Sequence, residues 1–328
     1  MNYYKTLDEK IQCLLCDHSC KLKVGIKGIC GVNTNKDGTL ECLVYGYPCA
    51  LHVDPVEKKP LYHFLPSSFT FSLGTVGCNF RCPFCQNWQI SQEHTINKNS
   101  YYAPEKIVDL ALQNNCSSIA YTYNEPTIFY PYARDIAIKA KENGLKNIIV
   151  TNGFQSLSVA EDMTSCIDAV NVDLKSFNAS YYKNTLKGEL KSVLRNMEYF
   201  QKHNIWQEIT TLIVPTINDS KDELTQCARF IKESLGENTP WHLSAFHPDF
   251  KMQDGTNTPL QTLQKAYEIA KTEGLNFVYI GNTKLSNDTI CPTCKTSLVK
   301  REYFNVTYNI ISDNYCPNCN TKIAGIWS

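Results

Sequence analysis

Between residues 68 and 284, short β-rich runs alternate with longer stretches whose apolar positions recur at helical spacing. The β-rich runs are 70–75, 118–122, 147–151, 169–174, 208–214, 242–246 and 277–280. Amphipathic stretches at 104–114, 128–143, 190–203, 221–235 and 260–273 lie between them. Pro104 and Asp219 stand near helix starts, and Gly144, Gly236 and Gly274 near helix ends. Strands alternating with helices predict right-handed βαβ units and a parallel sheet, hence an α/β fold. Six or seven such units suit an open or closed (β/α) barrel better than a doubly wound sheet. The texture divides the chain into a Cys-rich segment at 1–66, a core at 67–284 and a short separate unit at 285–328. The first segment shows little periodicity and is too loop-rich to stand without a metal or a larger body to lie on.

Composition narrows the function classes. The chain has 328 residues, 43% hydrophobic and 20% charged, enough to bury a core and too apolar for disorder. Lys plus Arg equals Asp plus Glu at 32 each, so the net charge is zero. That argues against general binding of DNA or RNA, which clustered positive charge drives. No apolar run approaches the ~20 residues of a membrane helix, and the first residues lack a signal-peptide pattern. A cytoplasmic protein without a membrane partner is expected. In a reducing compartment the 16 cysteines read as metal or cluster ligands before they read as disulfides. Eleven fall into three groups, at 13–30, 78–85 and 291–319. Cys116, Cys166 and Cys227 stand alone and read as buried thiols, as do Cys42 and Cys49.

Cys78, Cys82 and Cys85 form Cys-x3-Cys-x2-Cys directly after the first predicted strand. Three thiolates on one loop suit a soft metal or an iron–sulfur cluster, and a set of only three leaves a coordination position open for chemistry. Loops that follow strands line the C-terminal mouth of a barrel, where active sites lie.

These residues resemble the cluster motif of radical S-adenosylmethionine (radical SAM) enzymes. The resemblance implies a 4Fe–4S cluster on the three thiolates, with S-adenosylmethionine on the remaining iron. It further implies reductive cleavage to methionine and a 5′-deoxyadenosyl radical that abstracts a substrate hydrogen. Phe84, before the third cysteine, would pack near the adenine. Thr122-Tyr-Asn124-Glu125-Pro126 occupies the place of the family's Gly-Gly-Glu-Pro element, with Tyr-Asn for Gly-Gly. Thr151-Asn152-Gly153, Asp173-Leu-Lys175 and His247 resemble cofactor-contacting elements of glycyl-radical activating enzymes. Over nearly its whole length the chain is similar to the radical SAM member of the AmmeMemoRadiSam system, a family often labelled pyruvate formate-lyase activase-like. The carriers are Cys13-Leu-Leu-Cys16-Asp-His-Ser-Cys20, Gly28-Ile-Cys30, Leu43-Val-Tyr-Gly46, the run from Asp54 to Pro66 and two terminal Cys-Pro-x-Cys knuckles. The implied architecture is a partial (β/α)6-type TIM barrel core with two cysteine appendages. A flavodoxin or ferredoxin donor and a Memo-like partner or protein substrate are implied as well.

Cys291, Cys294, Cys316 and Cys319 form two Cys-x2-Cys knuckles around a β-prone 303–311, suited to a closed zinc ribbon, with rubredoxin-like iron as the other choice. Cys13, Cys16, Cys20 and Cys30 suit structural zinc, our first choice, or an auxiliary 4Fe–4S cluster. Tyr62 and His63 precede the first strand and either enter the barrel mouth or pack. The bland alternatives are that Glu125 and Asp173 are caps or surface charges, Lys175 a solvated lysine and Asn152-Gly153 an ordinary turn. The competing function classes are a metal-stabilised binding or electron-transfer protein without S-adenosylmethionine turnover, and a zinc-ribbon nucleic-acid module.

Overall fold

The computed structural model describes residues 2–328. Its main sheet has eight strands, and neighbours in sequence are neighbours in the sheet. Seven are parallel: Phe69–Gly74, Ser118–Tyr121, Lys146–Thr151, Ala169–Asp173, Trp206–Ile213, Trp241–Ala245 and Val278–Gly281. Sequential order with helical crossovers is the order of a barrel wall and not of a doubly wound sheet. Among the described residues no pairing joins Val278–Gly281 to the opposite edge, so the hydrogen-bonded sheet is open. Ile119, Ile149, Val170, Val172, Ile209 and Leu243 are fully buried in the core the sheet shares with its helices.

The eighth strand, Ala50–Pro55, runs antiparallel to Phe69–Gly74. It belongs to the segment the sequence pattern separates as 1–66, so the sheet reaches back across that boundary. After it, Val56, Leu61 and Phe64 pack on Ala120, Ile148 and Ala169, filling the inner face of the sheet near the strand N-termini. Two small antiparallel sheets form the rest of the N-terminal part: Tyr4–Leu7, Lys10–Cys13 and Lys21–Lys23, then Asn33–Lys36 with Thr39–Cys42. The C-terminal unit is a sheet of Thr289–Ile290, Ser297–Glu302 and Asn305–Asn309.

That unit docks at the N-terminal ends of the strands, where Tyr62 and His63 are found instead of at the mouth. The His63 Nδ1–H donates to the Ala324 carbonyl at 2.7 Å, which leaves Nε2 to accept from Tyr279 Oη at 2.6 Å. Tyr279 Oη meets Thr289 Oγ1 at 2.9 Å, and Arg301 donates to Thr289 Oγ1 and to the Tyr62 carbonyl. The relay works only with His63 neutral, and burial pushes its pKa from 6.5 down to about 4. A depressed folded-state pKa means that the unfolded chain binds the extra proton, so stability is complete above pH 6.5 and falls as the pH drops toward 4. A gap of that size is worth about 3 kcal/mol. Urea denaturation at pH 7 and pH 4.5 should show most of this loss for wild type and not for His63→Gln. Equal acid sensitivity in the variant would remove His63 as its source.

Candidate functional site

The loop carrying Cys78, Cys82 and Cys85 leaves the C-terminal end of Phe69–Gly74, at the mouth of the sheet. Its shape is fixed by bonds to other strand ends. Asn124 Oδ1 accepts from the Thr75 amide at 3.1 Å, and Nδ2 donates to Thr75 Oγ1 at 3.0 Å and to the Gly77 carbonyl at 2.8 Å. Arg81 donates to the carbonyls of Cys78, Phe80 and Ile29. The Lys251 amide donates to the Pro83 carbonyl, and Trp88 Nε1 to Asp249 Oδ1, while the Trp88 ring stacks on Phe250. Tyr123 stands at φ +68, a backbone conformation that glycine adopts freely, as at the family's Gly-Gly. The close fit is passed to Gly74, where a Cβ would lie 2.7 Å from the Thr122 carbonyl.

Glu125 is buried, and its carboxylate is held by its own chain. Oε1 accepts from the Thr127 amide, Thr127 Oγ1 and Thr151 Oγ1, and Oε2 from the Asn152 amide at 2.7 Å. It therefore caps the turn Pro126–Phe129 and ties two strand ends together. Burial raises its pKa, the four donors notwithstanding. Asn152 Nδ2 continues the network to Asn79 Oδ1 at 2.8 Å, next to Cys78. On the other side Lys175 pairs with Asp173 and lies 5.8 Å from the centroid of the buried Phe84 ring. Burial opposes the Lys175 charge, but the Asp173 carboxylate and the Cys82 sulfur outweigh it, so its pKa is raised. Burial also raises the Cys78 and Cys82 thiols, Cys82 to about 12. The structure thus gathers Cys78, Cys82, Cys85, Phe84, Asn124, Glu125, Thr151, Asn152, Asp173 and Lys175 around one mouth. His247 stands apart: it is exposed, on a rim cavity with Phe246, Thr258 and Asn282.

Sequence reasoning missed Asn79, Arg81 and Ser91, whose Oγ is 3.1 Å from Cys85 Sγ. It also missed the latch of Trp88 on Asp249. Asn79 and Trp88 act through partners distant in the chain, Asn152 and Asp249, whereas Arg81 and Ser91 also bond within the loop but belong to no motif that marks them.

The C-terminal knuckles build a different site. All four sulfurs lie within 4.8 Å of one another, with Cys291–Cys319 and Cys294–Cys316 at 3.6 Å. A tetrahedral ion with bonds of about 2.3 Å needs sulfurs about 3.8 Å apart, so this quartet fits one metal ion. The knuckles repeat each other: Lys295 and Asn320 have positive φ, and Thr296 and Thr321 hydroxyls meet Cys294 and Cys319 at 3.2 and 3.1 Å. Those hydroxyl bonds lower both thiols, as ligand thiolates require.

An open α/β sheet whose strand ends carry a three-thiol loop is the class these features define. The Radical SAM superfamily model matches residues 72–231. An uncharacterized protein of Methanocaldococcus jannaschii is 41% identical over 98% of both chains. Another from that organism, provisionally named a glycyl-radical enzyme activating enzyme, is 29% identical over 48% of this chain and 66% of its own. A radical SAM methyltransferase from Sphaerobacter thermophilus shares the fold (TM-score 0.53, 12% identity, 85% of this chain and 77% of that one). So does Streptococcus suis SuiB bound to S-adenosylmethionine (TM-score 0.52, 16% identity, 69% and 53%). The chain belongs to the radical SAM superfamily.

Membership implies a 4Fe–4S cluster and S-adenosylmethionine, and the residues present fit both. Three buried or half-buried thiols share one loop, and their sulfurs do not draw within the 4.8 Å that marks the single-ion quartet. Asn79 Nδ2 and Asp173 Oδ1 are buried polar atoms without a protein partner, as expected of groups that serve a polar ligand. Among the described residues no helix is long and apolar enough to cross a membrane.

Proposed function

We propose that the chain is a radical SAM oxidoreductase of the glycyl-radical-activase type, with Cys78, Cys82 and Cys85 holding its 4Fe–4S cluster. When bound, that cluster would supply the electron for reductive cleavage of S-adenosylmethionine, and with it the means to take hydrogen from a substrate. The chain's own residues position and shield. Asn124 fixes the start of the thiol loop, and the Glu125–Thr151–Asn152–Asn79 network fixes its middle. Asp173 would offer its free oxygen to the cofactor's polar end, Lys175 would keep positive charge beside Cys82, and Phe84 would give an apolar face to the adenine. His247, apart on the rim, would join the cofactor site on the strength of the family resemblance. Thiol loop and Asp173–Lys175 pair meeting at one mouth is the observation that carries the reading.

The end-to-end likeness in cysteine motifs supports a place in the AmmeMemoRadiSam system, with a flavodoxin or ferredoxin as donor and a Memo-like protein as partner or substrate. The four-thiol knuckles are assigned to zinc, which favours a closed tetrahedral set. Anaerobically reconstituted protein given dithionite and S-adenosylmethionine should form 5′-deoxyadenosine. Its absence from protein with a full iron and sulfide content would overturn the assignment.

A further inference from the structure

The N-terminal cysteines come together as five thiols, not four. Pairing of Lys10–Cys13 with Lys21–Lys23 sets Cys13 beside Cys20, whose carbonyl accepts from the Cys13 amide at 2.9 Å. The hairpin of Asn33–Lys36 with Thr39–Cys42 opposes Asn33 to Cys42 and so adds Cys42 next to Cys30. Asn33 Nδ2 lies 3.4 Å from Cys30 Sγ and 2.7 Å from the Ile128 carbonyl, and the Cys42 thiol donates to that same carbonyl at 3.8 Å. Cys13, Cys16 and Cys42 each lie near Cys30, and Cys13, Cys16 and Cys30 are buried. Thiols gathered in this way suit a metal centre.

Two observations distinguish this centre from the C-terminal quartet. The first is width. The quartet draws all four sulfurs within 4.8 Å, and among the described residues no three of the N-terminal thiols do so. The Cys78–Cys85 loop is wide in the same way. One ion pulls its ligands to a single point, whereas a polynuclear cluster keeps irons and sulfides between them. The second is position. The Cys30 carbonyl lies 2.6 Å from where a Cβ on Gly77 would sit, so the glycine, at φ +91, lets the two loops touch immediately before Cys78. Immediately after Cys78, the Asn79 carbonyl accepts from His18 Nε2 at 2.8 Å, and Arg81 bonds to the Ile29 carbonyl. A purely structural zinc has no need of that contact, and an electron donor has.

We propose that Cys13, Cys16, Cys20 and Cys30 hold a second iron–sulfur cluster that passes electrons to the one on Cys78, Cys82 and Cys85. Cys42 lies at its edge and is not a ligand, its Sγ facing the Ile128 carbonyl instead. One electron from a reduced flavodoxin- or ferredoxin-class protein enters the N-terminal cluster and moves to the second, which returns the first to its oxidised state. No bond or proton changes. The destination of the electron rests on the radical SAM reading; the metal content does not.

The test uses full-length protein reconstituted anaerobically, as wild type, Cys13→Ser/Cys16→Ser, Cys42→Ser and Cys82→Ala/Cys85→Ala. Wild type and Cys42→Ser should hold about eight irons, and each double variant about four with the EPR signal of one cluster. A far-UV circular dichroism spectrum and urea midpoint near wild type report that each variant has folded. The 5′-deoxyadenosine burst driven by reduced flavodoxin should fall further in Cys13→Ser/Cys16→Ser than the burst driven by dithionite. Wild type with about four irons and about two zincs would overturn the cluster. Loss of iron in Cys42→Ser would overturn its place as a non-ligand, and an equal fall with both reductants would overturn the relay. Eight irons with no 5′-deoxyadenosine from wild type would overturn the radical SAM reading and leave the second cluster standing.

Discussion

Cys82→Ala should abolish 5′-deoxyadenosine formation while the protein keeps its fold. The loss should exceed the roughly hundredfold that outer-shell partners of a metal site are worth, since a ligand itself is removed. The fold should survive because the loop does not depend on the thiol. Asn124 bonds it at Thr75 and Gly77, Arg81 at Cys78 and Phe80, and the Lys251 amide at Pro83. Removing one buried sulfur leaves a small cavity, a cost of about 1 kcal/mol. Far-UV circular dichroism and urea unfolding should match wild type to that extent, with the iron count about four lower. A protein in which metal serves only structure predicts the reverse, unfolding without this thiol. Unfolding, or an unchanged 5′-deoxyadenosine yield from a folded variant, would each sink the catalytic assignment. The comparison is sharp because one site in this chain has the structural geometry: at Cys291–Cys319 the sulfurs converge, and loss of Cys316 should melt the C-terminal unit.

Seven parallel strands were legible because each is a short apolar run between turn signals, with a helix in nearly every interval. Ala50–Pro55 was not, because its pattern is inverted: Val53 is exposed, whereas Asp54 is buried and bonded to Lys58, Lys59 and Tyr123. A strand that buries an ion pair carries no hydrophobic alternation to read. The N-terminal strands, at three and four residues, are too short to show any period. The helix Leu157–Met163 has two turns and is set by the Ser156 cap on Val159. In the site the thiols were legible because their spacing is local. Glu125 and Asn124 were named for the cofactor, and their roles as clamps depend on which strand ends meet. Zinc and an auxiliary cluster stay level in the spacing of the N-terminal cysteines for the same reason: spacing counts ligands, whereas Cys42 and the contact with Gly77 are tertiary facts.

Glu208→Ala should destabilise the chain by about 3–5 kcal/mol, the range for stripping a buried carboxylate from the donors that surround it. Glu208 is fully buried and its carboxylate is saturated. Oε1 accepts from the His63 amide and Trp206 Nε1, and Oε2 from the Tyr62 amide and His242 Nε2 at 2.6 Å. Burial opposes the charge, yet the His242 bond and the other donors hold its pKa below the ordinary value. Alanine leaves four donors without a partner, and each of the three buried ones costs about 1–3 kcal/mol when nothing replaces the bond. Glu208→Gln keeps the shape but turns one acceptor into a donor facing donors, so it should recover only part of the loss. A buried carboxylate beside a histidine resembles an acid–base pair, but its place argues otherwise. Glu208 and His242 sit near the N-terminal ends of their strands, at the end where Tyr62 and His63 join the C-terminal unit, and the thiol loop leaves the other end. Any folded Glu208→Gln protein should therefore make 5′-deoxyadenosine at the wild-type rate below its melting range. A folded variant with a collapsed rate would move this pair into the reaction, and a loss under 1 kcal/mol on Glu208→Ala would deny it the anchoring role.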